Sequence, residues 1–286
     1  MIKATESALQ RFFKNTKVLS KESKGITKGN KYRVGLALGG GAVWGISHIG
    51  VLKALKDNDI PIDCICGTSI GSIVGGLYAT GLSINELLNL ATHTQWKEFS
   101  QLSLPINGLL SNEPMDQFIN NIIGEKNIED LKIPFIAVAT DIISGEEILL
   151  DKGKLSTAMR ASSAIPGIFQ PVNFKGRTLV DGGVINNVPA SVVKKMGADI
   201  IIAVSTTPSL DHWAPKNSLQ IILKAFLIMQ NKVILGETVL ADVFITVDTK
   251  GYSPIDLSSS RELYNRGLIA GLSNLEEIQT AISKKR

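Results

Sequence analysis

A serine between two glycines is the first residue of this sequence that could carry out chemistry. Residues 67–71 read Gly-Thr-Ser-Ile-Gly and join two apolar runs. In a G-x-S-x-G pattern a strand turns so sharply into a helix that the serine takes a strained conformation, and the glycines avoid collisions. The pattern predicts Ser69 as a nucleophile, although the same five residues also fit an ordinary turn with a helix cap.

A run of three glycines at 39–41 could supply the second part of such a site. Glycine-rich backbone leading into a helix leaves unpaired N–H groups, which can stabilise the oxyanion formed when a serine attacks an ester. A dinucleotide-binding loop would instead need Gly or Ala where the sequence has Trp44, and an acidic residue at the end of the second strand. The glycine run therefore favours an oxyanion hole.

The sequence has three histidines that could act as the base for Ser69. His212 fits the chain order Ser, Asp, His of α/β-hydrolases, but its surroundings resemble a surface loop. His48 lies on the helix after the glycine run, where packing or capping is the more common role. His93 is expected on the solvated face of a helix. A triad that uses His212 therefore stays an alternative.

A carboxylate could also accept the serine proton directly, if it lies within hydrogen-bond reach and is partly desolvated. Asp181 ends an extended segment and is followed by two glycines, which allow the backbone to lie close to a ligand. Asp141 ends another predicted strand. Local chemistry does not separate these two candidates.

The elements that must position these residues alternate between strands and helices. Buried-strand patterns cover 33–39, 60–66, 133–141, 198–205 and 241–248. Helical patterns cover 47–58, the residues after Ser69, 83–99, the residues from about 114, 189–196 and about 217–236. Residues 100–114 are expected to form a loop, 144–151 a hairpin arm and 175–176 a tight turn. This alternation predicts a mostly parallel sheet covered on both faces.

Charge divides the chain into two parts. Residues 1–33 hold nine Lys/Arg and two Asp/Glu, whereas the rest is slightly acidic. We therefore expect a basic N-terminal extension over 1–32 and one α/β domain over 33–286, which at 44% apolar residues can bury a large core. Cations confined to a tail argue against a nucleic-acid partner. The tail fits a solvated extension, or weak contact of Phe12 and Phe13 with an anionic bilayer.

Neither a secretory signal nor a membrane-spanning run is evident, so we expect a cytoplasmic protein that contacts membranes only at their surface. Cys64 and Cys66 share one predicted strand at a spacing that cannot close a structural disulfide. They are expected to be core thiols in a reducing compartment. Neither metal-ligand clusters nor a phosphate loop is found, so no cofactor is expected. The sequence leaves the oligomeric state open.

Five stretches resemble, in order and spacing, the bacterial patatin-like phospholipase family. They read LALGGGAVWGISHIGVLKAL, CGTSIGSIVGGLYATG, ATDIISGEEILL, MRASSAIPGIFQPV and GRTLVDGGVINNVPA, and the resemblance covers residues 33–205. It implies a three-layer α/β/α fold with a mostly parallel central sheet. It also implies a Ser–Asp dyad without histidine, which cleaves fatty-acyl esters of phospholipids, lysophospholipids or neutral lipids.

The resemblance assigns Ser69 as nucleophile, Asp181 as base, and Gly40 and Gly41 as oxyanion donors, and it leaves Asp141 a structural role. It also places residues 160–169 beside the site as a wall of the acyl pocket.

One position departs from the family pattern. Relatives usually carry Arg or Lys before the last glycine of the glycine-rich loop, where this chain has Trp44. We expect a working but slow enzyme on a lipid or acyl-ester substrate, with a non-catalytic lipid-binding protein as the alternative. The apolar stretch 218–235 is interpreted as a helix that covers the sheet rather than as a membrane face.

Overall fold

A mixed sheet forms the centre of the protein. The computed structural model describes residues 32–102, 110–206 and 213–285, so residues 1–31 of the expected extension lie outside the description. The strands in the described ranges are β1 (Val34–Leu38), β2 (Cys64–Thr68), β3 (Gln101–Leu102), β4 (Leu110–Ser111), β5 (Phe135–Asp141), β6 (Glu147–Leu150), β7 (Val172–Phe174), β8 (Arg177–Asp181), β9 (Ile200–Ser205) and β10 (Val243–Thr246).

Five parallel strands build one side of this sheet and antiparallel strands complete the other. The order is β10-β9-β1-β2-β5-β8-β7, and β6 pairs with β5 outside this linear path. The first five strands run parallel, whereas β6, β7 and β8 are joined by antiparallel pairing. Strands β3 and β4 form a separate antiparallel pair inside the segment that was expected to be a loop. The mostly parallel α/β architecture is thus confirmed.

Helices pack on both faces of the sheet. They are α1 (Ser47–Asp57), α2 (Ile70–Ala79), α3 (Ile84–His93), α4 (Trp96–Phe99), α5 (Pro114–Ile123), α6 (Leu155–Ser162), α7 (Ala190–Lys195), α8 (Ser218–Val233), α9 (Leu235–Thr238), α10 (Ser260–Ser273) and α11 (Leu275–Ser283) in the described ranges. None of them is long and apolar enough to cross a bilayer.

The central strands alternate their side chains between two apolar clusters. Leu36 and Ile202 belong to one cluster, whereas Ala37, Cys66 and Ala203 belong to the other. Because successive strand residues point to opposite faces, the two clusters lie on opposite sides of the sheet. Strands that are buried on both faces need continuous apolar sequence, which explains runs such as Ile-Ile-Ile-Ala-Val in β9. The three-layer prediction is therefore confirmed.

Both cysteines are free and buried in this core. Burial raises the pKa of the Cys66 thiol well above its ordinary value, so the group stays neutral. This agrees with the expectation that Cys64 and Cys66 are packing residues.

One predicted helix was wrong in extent. The pattern over 83–99 forms two helices, because Thr94 and Gln95 take extended conformations. Ser83 caps α3 in a capping box with Glu86, and Gln95 forms the equivalent arrangement with Glu98 at the start of α4. The contacts of Gln95 with Glu98 therefore start α4 as a separate helix, although the apolar pattern over 83–99 is continuous.

Strand register brings distant segments to one edge. Thr68 at the end of β2 pairs with Val138 of β5, and the next residue, Ala139, pairs with Asp181 at the end of β8. The ends of β2 and β8 therefore meet along the same edge of β5, whose other edge is occupied by β6. The parallel strand β1 ends at this edge as well, where Gly39 begins the glycine run.

A close crossing of α1 and α10 yields a prediction about stability. A Cβ on Gly267 would lie 1.8 Å from the carbonyl oxygen of Ser47, so Gly267→Ala must push the two helices apart. We expect Gly267→Ala to lower the free energy of unfolding by about 1–3 kcal/mol in urea denaturation. Gly236→Ala is the control, because nothing lies within 4 Å of its Cβ position. An equal loss in both variants would contradict this account of the crossing.

Candidate active site

Ser69 occupies a strained turn between β2 and α2. Its φ of 54° and ψ of −129° lie in a region that residues with a side chain rarely adopt. Hydrogen bonds hold this conformation from both sides. The Ser69 N–H donates to Ser162 Oγ at 3.0 Å, and the Ser69 carbonyl accepts from the N–H and Oγ of Ser72 at 2.8 and 2.7 Å. The serine is thus fixed at the carboxyl end of a central strand.

The two glycines of the Gly-Thr-Ser-Ile-Gly motif are required by backbone contacts. A Cβ on Gly71 would lie 2.2 Å from the carbonyl oxygen of Leu38, and one on Gly67 would lie 2.5 Å from the carbonyl oxygen of Gly71. No side chain fits at such distances. The glycines therefore let the start of α2 approach both its own strand and β1.

Asp181 lies beside Ser69 in a fully buried position. Its Oδ1 accepts the Gly183 N–H at 2.8 Å, and the Ser69 hydroxyl lies close enough to the carboxylate to lower its pKa. The Oδ2 atom has no partner of full hydrogen-bond geometry in the described ranges. Burial raises the pKa of Asp181 from 3.8 to about 7, although the nearby Ser69 hydroxyl and the Gly183 N–H both lower it. A carboxylate with this pKa can take up a proton near neutral pH.

Asp141 lies elsewhere, at the far end of β5. Its carboxylate accepts the Ile143 N–H at 3.2 Å and the Ser144 hydroxyl at 3.2 Å, and it pairs with Arg177 at 3.1 Å. These bonds organise the turn after the strand. Of the two candidate carboxylates, the structure brings only Asp181 to Ser69.

None of the described histidines bonds to Ser69 or Asp181. His48 is buried, and its Nε2–H donates to the Gly39 carbonyl at 2.8 Å. Burial lowers the pKa of His48 to about 4, although this hydrogen bond raises it. The ring is therefore neutral at pH 7, and it binds the glycine run through its N–H group. His93 is exposed and contacts Asn89 of its own helix. His212 lies outside the described residues.

The glycine run packs directly against Ser69. A Cβ on Gly40 would lie 3.1 Å from Ser69 Cβ. The Gly40 N–H donates to the backbone oxygen and to Oδ1 of Asn187, at 3.2 and 3.1 Å. In the part of the chain that the structure describes, the N–H groups of Gly41 and Ala42 make no hydrogen bond. These two donors are therefore available beside the serine.

Trp44 anchors the glycine run to a C-terminal loop. Its buried indole donates from Nε1 to the Tyr252 carbonyl at 3.0 Å, and the neighbouring Val43 N–H donates to the Pro254 carbonyl at 3.0 Å. Trp44 stands where the family pattern has Arg or Lys. It thus holds the loop by a neutral hydrogen bond and by packing.

An apolar cavity of about 170 Å³ adjoins Ser69. Its walls come from the short helical turn after the glycine run, from α2, α3 and α5, and from the segment 163–169. Apolar side chains make up nearly all of the surface, which suits a hydrocarbon chain. Ser163, Ile165 and Phe169 lie in this wall, within the stretch that the resemblance assigned to it.

Comparison with known proteins identifies the family of this chain. Residues 36–194 match the family model described as patatin-like phospholipase. The chain belongs to the patatin-like phospholipase family. The matched range contains Ser69, Asp181 and the glycine run, so the residues assembled at the sheet edge all lie in the part that defines the family.

Relatives of this patatin-like protein include two groups. An uncharacterized NTE family protein of Mycobacterium tuberculosis is 38% identical over 180 residues, which cover 62% of this chain and 50% of that protein. Lysophospholipase NTE1 of Debaryomyces hansenii is 36% identical over 212 residues, which cover 72% of this chain and 13% of that protein. The chain thus spans about half or less of the length of these relatives. The crystal structure of VipD from Legionella pneumophila shares the fold, with a TM-score of 0.56 and 15% identity over 90% of this chain and 67% of that one.

Three buried polar residues near the site were not singled out from the sequence. Ser162 and Asn187 lie within stretches quoted for the family resemblance, but nothing in the sequence indicates that they bond to Ser69 and Gly40. Gln230 lies at helical spacing from Leu223, Phe226 and Leu227, so its place on the buried side of α8 is a signal that could have been noticed. Its side chain lies against the glycine loops at Gly40 and Gly183.

Removal of the Ser162 hydroxyl tests how the strained turn is held. Ser162 Oγ accepts from Ser69 and donates to the Val138 carbonyl at 2.6 Å, so Ser162→Ala leaves two buried groups unpaired. We expect a loss of about 1–3 kcal/mol in the free energy of unfolding, together with lower esterase activity. Ser156→Ala on the same helix is the control, since its hydroxyl makes no hydrogen bond in the described ranges. Wild-type stability and activity in Ser162→Ala would count against this role.

Proposed function

We propose that this protein is a serine lipid acyl hydrolase, which cleaves fatty-acyl carboxylic esters of phospholipids or lysophospholipids. The observation that carries the proposal is the contact between Ser69, held on a strained turn, and a buried Asp181 whose pKa is raised to about 7. The name of the yeast relative, a lysophospholipase, and the adjoining apolar cavity support a lipid substrate.

The proposed reaction begins with proton transfer from Ser69 to Asp181. Ser69 Oγ attacks the acyl carbonyl, and the tetrahedral intermediate collapses as the protonated Asp181 gives its proton to the leaving alcohol. Water, deprotonated by the same carboxylate, then attacks the acyl-enzyme. The second tetrahedral intermediate collapses as Asp181 returns this proton to Ser69 Oγ, which releases the fatty acid and restores the free enzyme. Asp181 thus acts twice as base and twice as acid, so that no histidine is needed.

Gly40 and Gly41 are the proposed oxyanion donors. The Gly41 N–H is available, whereas the Gly40 N–H donates to Asn187 and must exchange that bond for the oxyanion. Removing one such donor typically slows turnover by about 10²–10³-fold. The Trp44 anchor ties the loop to the Tyr252 carbonyl, at the position where the family pattern has Arg or Lys.

Labelling with a fluorophosphonate probe tests the nucleophile. We expect the wild-type chain to be labelled and to release p-nitrophenol from p-nitrophenyl butyrate. Ser69→Ala should lose both properties, because no other hydroxyl in the described ranges is held on a strained turn beside a buried carboxylate. His212→Ala should keep at least about half of the activity, since the dyad uses no histidine. A large loss in His212→Ala would favour the triad, and an unlabelled, inactive wild type would favour a lipid-binding protein.

The pH profile tests the base. Asp181 must be ionised to accept the proton, and its folded-state pKa lies near 7. As pH falls through 7, the carboxylate becomes protonated, and kcat/KM should fall about tenfold per pH unit. The profile is measured with p-nitrophenyl butyrate in wild type and in His212→Ala, which should have the same acidic limb. A flat profile down to pH 5, or a limb that disappears with His212, would refute Asp181 as base.

A further inference from the structure

The stretch 218–235 was expected to be a helix that covers the sheet rather than a membrane face, but helix α8 is apolar on both sides. Leu223, Phe226 and Leu227 are buried in the core, together with the polar Gln230. The opposite side, which we call the outer face of α8, carries exposed apolar residues at the spacing i, i+1, i+4, i+7 and i+8. These residues are Ile221, Ile222, Ala225, Ile228 and Met229. Soluble proteins rarely expose such a contiguous apolar stripe unless it contacts a partner or a membrane.

The charge around the outer face favours an anionic lipid surface as this partner. Residues 213–236 contain three lysines, at 216, 224 and 232, and no acidic residue. Lys232 lies one turn beyond Ile228 on the exposed side of the helix. Apolar side chains combined with lysines alone are typical of helices that lie in the interface of anionic bilayers. A second copy of this face would bring lysines together without a carboxylate from the helix to pair with them.

The outer face also lies next to the proposed acyl site. A Cβ on Gly167 would lie 3.4 Å from Ile222 Cγ2, and the residues on both sides of this glycine, Ile165 and Phe169, line the apolar cavity. On the inner side of the helix, Gln230 contacts the glycine loop at Gly40. The helix that would lie in the lipid surface is therefore in direct contact with the walls of the site.

We propose that the outer face of α8 is the surface through which the protein binds an anionic phospholipid interface, a proposal that rests on the lipid hydrolase function proposed above. Exposed isoleucines enter the acyl-chain boundary, while Lys232 on the same side of the helix faces the headgroups. Binding in this orientation holds the cavity wall at 165–169 close to the membrane, from which an acyl chain can be taken.

A matched pair of substitutions tests this surface. Ile228→Glu places a carboxylate in the outer face, and Val239→Glu places one at an apolar position that is 84% exposed and lies beyond the helix. Both variants keep the basic N-terminal residues and have the same net charge. A difference in vesicle binding between them therefore reports the position of the added charge. Ile221→Glu, on the same face at 57% exposure, is a second variant in case Ile228→Glu does not fold.

Co-sedimentation of the full chain with vesicles of phosphatidylcholine and phosphatidylglycerol gives the readout. We expect Ile228→Glu to lower the partition coefficient about tenfold or more, and Val239→Glu to change it by less than about twofold. Vesicles of phosphatidylcholine alone should bind the wild type more weakly. Hydrolysis of soluble p-nitrophenyl butyrate should stay unchanged in both variants, because neither residue belongs to the proposed catalytic machinery.

Three results would overturn the proposal. These are a wild type that does not bind the anionic vesicles, equal binding by Ile228→Glu and Val239→Glu, and a change of oligomeric state in Ile228→Glu without a change in vesicle binding, measured by light scattering. The last result would assign the face to self-association. If the wild type fails to hydrolyse p-nitrophenyl butyrate but binds vesicles through Ile228, the proposed hydrolase function fails while the docking surface stands.

Discussion

The strained backbone of Ser69 is the constraint on which the site depends. A residue held in this region costs about 1–3 kcal/mol and persists only where the surrounding structure enforces it. Here the enforcement comes from Ser162 on one side and Ser72 on the other, with glycines at 67 and 71 that let three backbone segments meet. The strain turns the hydroxyl out of the strand end and toward Asp181, where an unstrained turn would leave it in the helix cap.

Burial of the Asp181 carboxylate also lowers the stability of the fold. Its pKa lies above that of an unfolded chain, so the folded state prefers the protonated carboxyl. As pH rises from about 4 through 7, ionisation therefore removes stability from the fold. The same burial gives the carboxylate its basicity near neutral pH. In the proposed mechanism, the stability lost by burying Asp181 is therefore the cost of a base that works near neutral pH.

Sequence patterns predicted the strands and helices well wherever local signals suffice. Apolar runs marked the buried strands, and Gly-Thr-Ser-Ile-Gly marked the turn at Ser69, because strain and close contact there demand particular residues. The pairing of Asp181 with Ser69 could not be worked out from local chemistry. It depends on the register of β2, β5 and β8, which is set by long-range pairings such as Thr68 with Val138 and Ala139 with Asp181. Only the family resemblance separated Asp181 from Asp141.

Other features could not be predicted from the sequence because they also depend on specific contacts in the folded chain. The break after His93 depends on two capping contacts within a continuous apolar pattern. The function of Trp44 depends on a carbonyl that lies about two hundred residues away in the chain, at Tyr252. The Gly40 N–H was expected to be free, but the structure pairs it with Asn187.

A crystal structure of the fluorophosphonate adduct tests the central claim most directly, because the phosphonate imitates the tetrahedral intermediate. The account predicts phosphorus bonded to Ser69 Oγ, with the Asp181 carboxylate within about 2.6–3.2 Å of that oxygen. The phosphoryl oxygen should face the Gly41 N–H. Phosphorus on another residue, or an Asp181 carboxylate turned away from Ser69 with a histidine in its place, would contradict the account.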